Sequence, residues 1–241
     1  MSEQQELREI AGQAQRLLRG LQKKGITHVP GAVRGTEAPD AGSPVRPEPV
    51  EEQTGSDKRV LLEPVRLQAM GCRLCKLCQG RKHVVFGDGA LDAPVVFIGE
   101  GPGRDEDAQG LPFVGAAGQL LNRIIAAMKM KREEVYICNI VKCRPPNNRP
   151  PEPDEVAACM PYLEQQLAVI RPKVICVLGK TAASALLETE APMGALRGRT
   201  FERGGIPLIV TYHPAYLLRN PAAKKEVWED MQKVLALLKG E

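Results

Sequence analysis

The chain has 241 residues, 43% of them apolar, with 33 Lys and Arg against 29 Asp and Glu for a formal net charge of +4. That length allows a sizeable buried core, and the small basic excess suits a polyanionic partner without singling one out. No run is apolar enough for a membrane span, and the first twenty residues lack a secretory pattern. A cytoplasmic protein is therefore expected, and its seven cysteines argue for reduced thiols or metal ligands rather than a disulfide framework.

Residues 4–24 place Leu7, Ile10, Ala14, Leu17, Leu18 and Leu21 at spacings of three and four, which predicts an amphipathic helix over 1–24. Such a helix could dock a protein partner or pack on the body. Residues 25–59 are rich in Pro, Gly, Glu, Ser and Thr and read as a flexible linker. A domain over 60–241 follows. It opens with a short helix at Leu61–Ala69 that leads into GCRLCKLC.

The body then alternates. Strands are predicted at Val95–Gly99, Val135–Val141, Val174–Leu178 and Leu208–Tyr212, and helices at Ala116–Met130, Asp154–Ile170, Thr181–Glu188 and Ala222–Leu238. This order means βαβ units and a mainly parallel sheet. Such sheets bind ligands at the carboxyl ends of their strands, where VVFIGEGPGRDEDAQG (Val95–Gly110) puts a glycine-rich turn and four acids. The turn is not a dinucleotide fingerprint, because Arg104 stands where a glycine is required. Gly179-Lys180-Thr181 is not a phosphate loop, because Val174 stands where one is required.

Cys72, Cys75 and Cys78 are three apart, and Cys143 and Cys159 flank the proline-rich RPPNNRPPEP stretch. Four of these five thiols suit zinc or an iron–sulfur cluster, and spacing does not decide the metal or which of the first three is left out. Cys138 and Cys176 fall inside predicted strands and read as small buried hydrophobes. His213 closes the last strand, Asn139 interrupts another, and Phe113 lies in a proline-glycine loop. Each has two readings: catalytic histidine or structural one, ligand-reading amide or satisfied core amide, stacking ring or loop anchor. The acids of the turn read as helix-start residues. The loop residues Arg81, Lys82, Arg144, Arg149, Arg197, Arg199, Arg203 and Arg219 suit phosphate contacts or ordinary exposure.

GEGPG after the first strand, PFVGAAGQLL, the strand carrying Asn139 followed by KCRPPNNR, and HPAYLLR after the last strand together resemble family 4 uracil-DNA glycosylases. The resemblance covers roughly residues 67–238. It implies a three-layer α/β sandwich with a central, mainly parallel four-stranded sheet. It also implies a 4Fe-4S cluster on Cys72, Cys75, Cys143 and Cys159, with Cys78 a bystander. In the implied site Phe113 stacks on a flipped uracil and Asn139 reads its edge. Glu106 excludes the thymine methyl, and His213 with backbone amides near Glu100 and Gly101 stabilises charge on O2. Glu100 is the candidate for activating water, and Leu217 and Leu218 are the candidate wedge into the duplex.

The expected activity is monofunctional hydrolysis of uracil from single- or double-stranded DNA by a monomer. The region before the last strand, MGALRGRTFERGG, holds no histidine, which implies turnover rather than covalent trapping on DNA. The alternatives are a non-catalytic DNA-binding or damage-sensing module of the same fold, and a zinc-stabilised enzyme acting on free nucleotides.

Overall fold

The computed structural model describes residues 55–240. The amino-terminal helix expected over 1–24 and most of the linker expected over 25–59 lie outside them. The last five positions of that linker are instead helical. Helix α1 spans Gly55–Met70 and so starts well before the predicted Leu61. Its early turns gain a tertiary partner that composition does not reveal, since Lys58 Nζ donates to the Ile170 carbonyl at 2.9 Å. A cation at that position satisfies one of the orphan carbonyls at another helix's end.

The remaining elements are β1 (Asp88–Gly89), β2 (Val95–Gly99), α2 (Arg104–Gln109), α3 (Ala116–Ala127), β3 (Tyr136–Asn139), α4 (Pro153–Ile170), β4 (Val174–Leu178), α5 (Lys180–Leu187), α6 (Met193–Leu196), β5 (Thr200–Arg203), β6 (Ile206–Thr211), α7 (Pro214–Arg219) and α8 (Lys224–Lys239). The sheet order is β1-β3-β2-β4-β6-β5. The four predicted strands are all present as β2, β3, β4 and β6, parallel to one another. Two short antiparallel edges, β1 and β5, widen the sheet to six strands.

β2 and β4 are buried along their whole length, as parallel strands covered on both faces should be. Alternate residues of β2 enter different cores. Val96 and Ile98 pack with Leu62, Leu163 and Leu167 from α1 and α4, while Val95 and Phe97 pack with Leu121, Ile125, Val227 and Met231 from α3 and α8. Helices thus cover both faces in three layers. Cys138 and Cys176 are fully buried in β3 and β4, as small core residues. Among the described residues no helix is long and apolar enough to cross a membrane.

One helical glycine shows how tightly the loop before α3 is packed. A side chain at Gly118 would overlap the Phe113 carbonyl. Glycine to alanine inside a helix normally stabilises by about 1 kcal/mol. Gly118→Ala should do the reverse, costing about 1–3 kcal/mol as overpacking does, read as a Tm several degrees below the parent in a thermal melt.

Candidate functional site

A cavity of about 470 Å³ opens at the carboxyl ends of β2, β3 and β6. Glu100–Gly103, Glu106, Phe113, Asn139 and His213 line it, together with Asn148, Arg149, Tyr216 and Arg219. The parallel strands bring these residues together from positions more than a hundred apart in the chain.

Asn139 ends β3 and is 1% exposed, yet its Oδ1 has no hydrogen-bond partner. Leaving a buried acceptor unpaired costs about 1–3 kcal/mol, and this oxygen faces the cavity with its acceptor capacity unused. Phe113 lies beside it in the left-handed region, at φ +52°. That conformation is strained for a bulky side chain. Arg132 holds it in place: its guanidinium donates to the Phe113 carbonyl at 3.2 Å, to the Pro112 carbonyl, and to Asn122 Oδ1 at 2.8 Å.

Glu106 sits in the first turn of α2, and its Oε1 accepts the Val114 and Gly115 N–H groups at 2.9 and 3.0 Å. The carboxylate is thereby fixed in the pocket wall. His213 caps α7, and its Nδ1 accepts the Ala215 N–H at 3.1 Å. In the neutral ring this puts the proton on Nε2. Burial pushes the imidazole down to about 4, with Glu106 opposing that shift and Arg219 reinforcing it. The ring therefore stays neutral at physiological pH, 5.6 Å from the Phe113 ring.

A second, narrow pocket is lined by Cys72, Cys75, Cys78, Cys143 and Cys159. All five are free thiols. Arg81 Nη1 donates to Cys143 Sγ and the Lys142 backbone N–H donates to Cys159 Sγ, each at 3.2 Å. Among the described residues no three Cys, His, Asp or Glu side chains close on a point that a single metal ion could fill.

The chain matches the model of the Uracil DNA glycosylase superfamily over residues 86–232. It belongs to that superfamily. It is 45% identical over 185 residues to a type-4 uracil-DNA glycosylase of Thermotoga maritima, covering 75% of this chain and 96% of the relative. The type-4 enzyme of Saccharolobus solfataricus is 46% identical over 172 residues, 68% of this chain and 80% of the relative. That of Archaeoglobus fulgidus is 44% identical over 181 residues, 72% and 91%.

Against this uracil-DNA glycosylase frame, the residues singled out from the sequence for the base pocket converge, and the two leucines singled out as a wedge, Leu217 and Leu218, lie outside its lining. Glu100, Gly101, Glu106, Phe113, Asn139 and His213 all line the first pocket. Leu217 is 1% exposed and packs into the core with residues of α3 and α8, so it is not free to enter a duplex. Leu218, next to it on α7, is 46% exposed. A six-residue helix turns one of two adjacent leucines inward and the other outward.

Most of the loop arginines are internal ties rather than free cations. Arg81 is turned to Cys143, Arg197 to Glu226, Glu229 and Asp230, and Arg203 to Glu164. Arg149 and Arg219 line the pocket. Arg149 is gripped through both nitrogens by Glu155, at 2.6 and 2.8 Å, a carboxylate with no exposed surface. Asp107, expected from the sequence as a solvated helix-start acid, and Arg132, not singled out there, turn out to be internal ties. Asp107 is buried and accepts the Lys82 N–H at 2.9 Å, tying α2 to the segment ahead of β1. Arg132 gave no signal beyond its charge, because its three acceptors lie 10 to 20 residues away.

Arg132→Ala should loosen the strained loop without unfolding the domain. Each lost hydrogen bond is worth about 1 kcal/mol and three are lost, so the Val114 and Gly115 amide protons should exchange on the order of a hundredfold faster than in the parent. Unchanged exchange at those two amides would detach Arg132 from the site.

Proposed function

We propose that the chain is a monofunctional uracil-DNA glycosylase that hydrolyses the bond between uracil N1 and the deoxyribose C1′, leaving an abasic site in single- or double-stranded DNA. The observation that carries this reading is the unpaired, buried Oδ1 of Asn139 beside Phe113 and His213 in one pocket. A flipped base is held by stacking and by hydrogen bonds to its edge. Phe113 stacks on the ring, Asn139 Oδ1 accepts the uracil N3–H, and its amide nitrogen donates to O4. Cytosine presents the opposite pattern and is refused. Glu106, immobilised by two backbone amides, stands against C5 and excludes the thymine methyl.

When the glycosidic bond breaks, its electron pair goes to the base and charge builds on O2. The neutral His213 offers Nε2–H to that oxygen, a donor oriented in advance by the Ala215 amide. The backbone amides near Glu100 and Gly101 add to it. Water attacks C1′, and Glu100 on the pocket wall accepts its proton. Arg219 contacts a backbone phosphate, and the exposed Leu218 fills the gap left by the flipped nucleotide.

Cys72, Cys75, Cys143 and Cys159 are the residues that would hold a 4Fe-4S cluster. Their fit rests on the donor set: free thiols in an apolar pocket, two of them already accepting N–H donors. Bound there, a cluster would supply a covalent tie between the 72–78 segment, the loop after β3 and α4. Cys78 lines the same pocket, so the ligand set is open to test. Cys75→Ser should lose the brown charge-transfer absorbance and most of the iron, whereas Cys78→Ser should keep both.

A uracil-containing oligonucleotide should acquire an alkali-sensitive break on incubation with the protein, and His213→Ala should lose most of that turnover, about 10²–10³-fold as for one oxyanion-type donor. The folded ring binds its proton only near pH 4. His213 therefore imposes no acid limb between pH 5 and 8, and activity falls as pH drops through about 4. In the unfolded chain the ring protonates near 6.5, so the stability it contributes is full above that value and is lost as pH falls from 6.5 toward 4. A rate profile measured from pH 3.5 to 8 checks the first statement, and an acid limb centred near 6.5 would contradict it.

A further inference from the structure

We propose that Tyr216 is a base-stacking platform, its ring holding a nucleobase that adjoins the uracil in the substrate strand, in a subsite next to the uracil pocket. The inference rests on the uracil-DNA glycosylase reading above. Tyr216 lines the same cavity as Asn139 and His213 and is 37% exposed. It is the outer member of a stack that begins in the protein interior.

Arg197 starts that stack, held by Glu226, Glu229 and the buried Asp230 at 3.3 to 3.6 Å. Its guanidinium stands 5.7 Å from the centroid of the Tyr212 ring. Tyr212 is half-buried, packs on the core shared with α3 and α8, and stacks on Tyr216 with centroids 4.8 Å apart and planes 26° apart. Cation–π and offset ring contacts of this kind are attractive at each step. The Tyr216 ring is therefore oriented before any ligand arrives, which leaves little rotamer entropy to lose on binding.

The backbone under the ring is also fixed. The Tyr216 N–H donates to the His213 carbonyl and its own carbonyl accepts the Asn220 N–H, each at 2.9 Å. Leu217 beside it turns into the core, whereas Tyr216 stays on the cavity lining. Arg219 follows three residues on, on the same side of α7. It lines the same cavity and has no ion-pair partner among the described residues. One side of this helix thus offers what one nucleotide carries, an aromatic plane for the base and a cation for the phosphate. Every nucleobase has a π-face, so such a platform accepts any base and needs no complementary strand. It replaces the stacking partner that the adjoining base loses when uracil leaves the stack.

The test uses the intact protein and three single-stranded uracil oligonucleotides: one unmodified, one with a stable abasic analogue 5′ of the uracil, and one with it 3′. KM for one of the two modified strands should exceed that of the unmodified strand by roughly five- to a hundredfold, the span of one lost base–aromatic stack, at unchanged kcat. Tyr216→Ala should raise KM on the unmodified strand by a similar factor and cease to distinguish the three. Tyr216→Phe keeps the ring and should restore the discrimination. If Tyr216→Ala does not fold, Tyr216→Leu is read by the same criterion. Equal KM for all three strands with wild-type protein overturns the inference, and so does discrimination that survives in Tyr216→Ala. A fall in kcat at unchanged KM in Tyr216→Ala also overturns it, since the ring then only supports His213. Wild-type protein that excises uracil from none of the strands overturns the proposed function and this inference together, whereas normal excision without discrimination overturns this inference alone.

Discussion

The pairing of β2 with β3 in parallel register sets Gly99 directly opposite Asn139, and the rest of the site depends on that match. A side chain at 99 would lie 2.5 Å from Asn139 Oδ1 and 2.6 Å from Phe113 Cζ. With glycine there, the amide and the ring share the pocket floor. A slip of one residue would turn Asn139 to the other face of the sheet, because side chains alternate with a period of two. The register is secured by the hydrophobic alternation of β2, whose neighbours pack into separate cores on either face.

From that floor the site is assembled by loops that hydrogen bonds make rigid. Glu106, Arg132 and the Ala215 amide each fix a piece of backbone or a ring before any ligand arrives. Donors oriented in advance need not reorganise when charge develops, which is the main source of electrostatic catalysis. Strain at Phe113 is the cost of that order, and it is borne by the contacts of Arg132 and the close packing on Gly118. Helix α4 supports both pockets at once. Its Glu155 grips Arg149 in the lining of the first, and its Cys159 faces the cysteine pocket.

Much of the fold was legible because the long elements follow simple periodicities. β2 and β4 coincide with their predicted spans, and β3 and β6 differ only at their ends. The edges β1 and β5 were missed for a physical reason: a two-residue strand and an exposed, polar TFER segment carry no hydrophobic pattern, and only their pairing with β3 and β6 makes them strands. The start of α1 was misjudged in the same way, since GSDKR looks like linker until Lys58 reaches the end of α4. Leu217 and Leu218 are chemically identical in the sequence, and only the direction of α7 separates a core residue from an exposed one.

What the sequence determined by itself is the alternation that makes a mainly parallel α/β sheet, the cysteine set, and the order of motifs that carries the family likeness. These are properties of residue type and spacing along one chain. What only the tertiary structure decided is the unpaired state of Asn139 Oδ1, the tautomer of His213, the burial of Leu217 and the stacking of Tyr216 on Tyr212. Each depends on which groups are packed across from one another in space and on how little water reaches them, and neither is written in the order of residues along a single strand or helix.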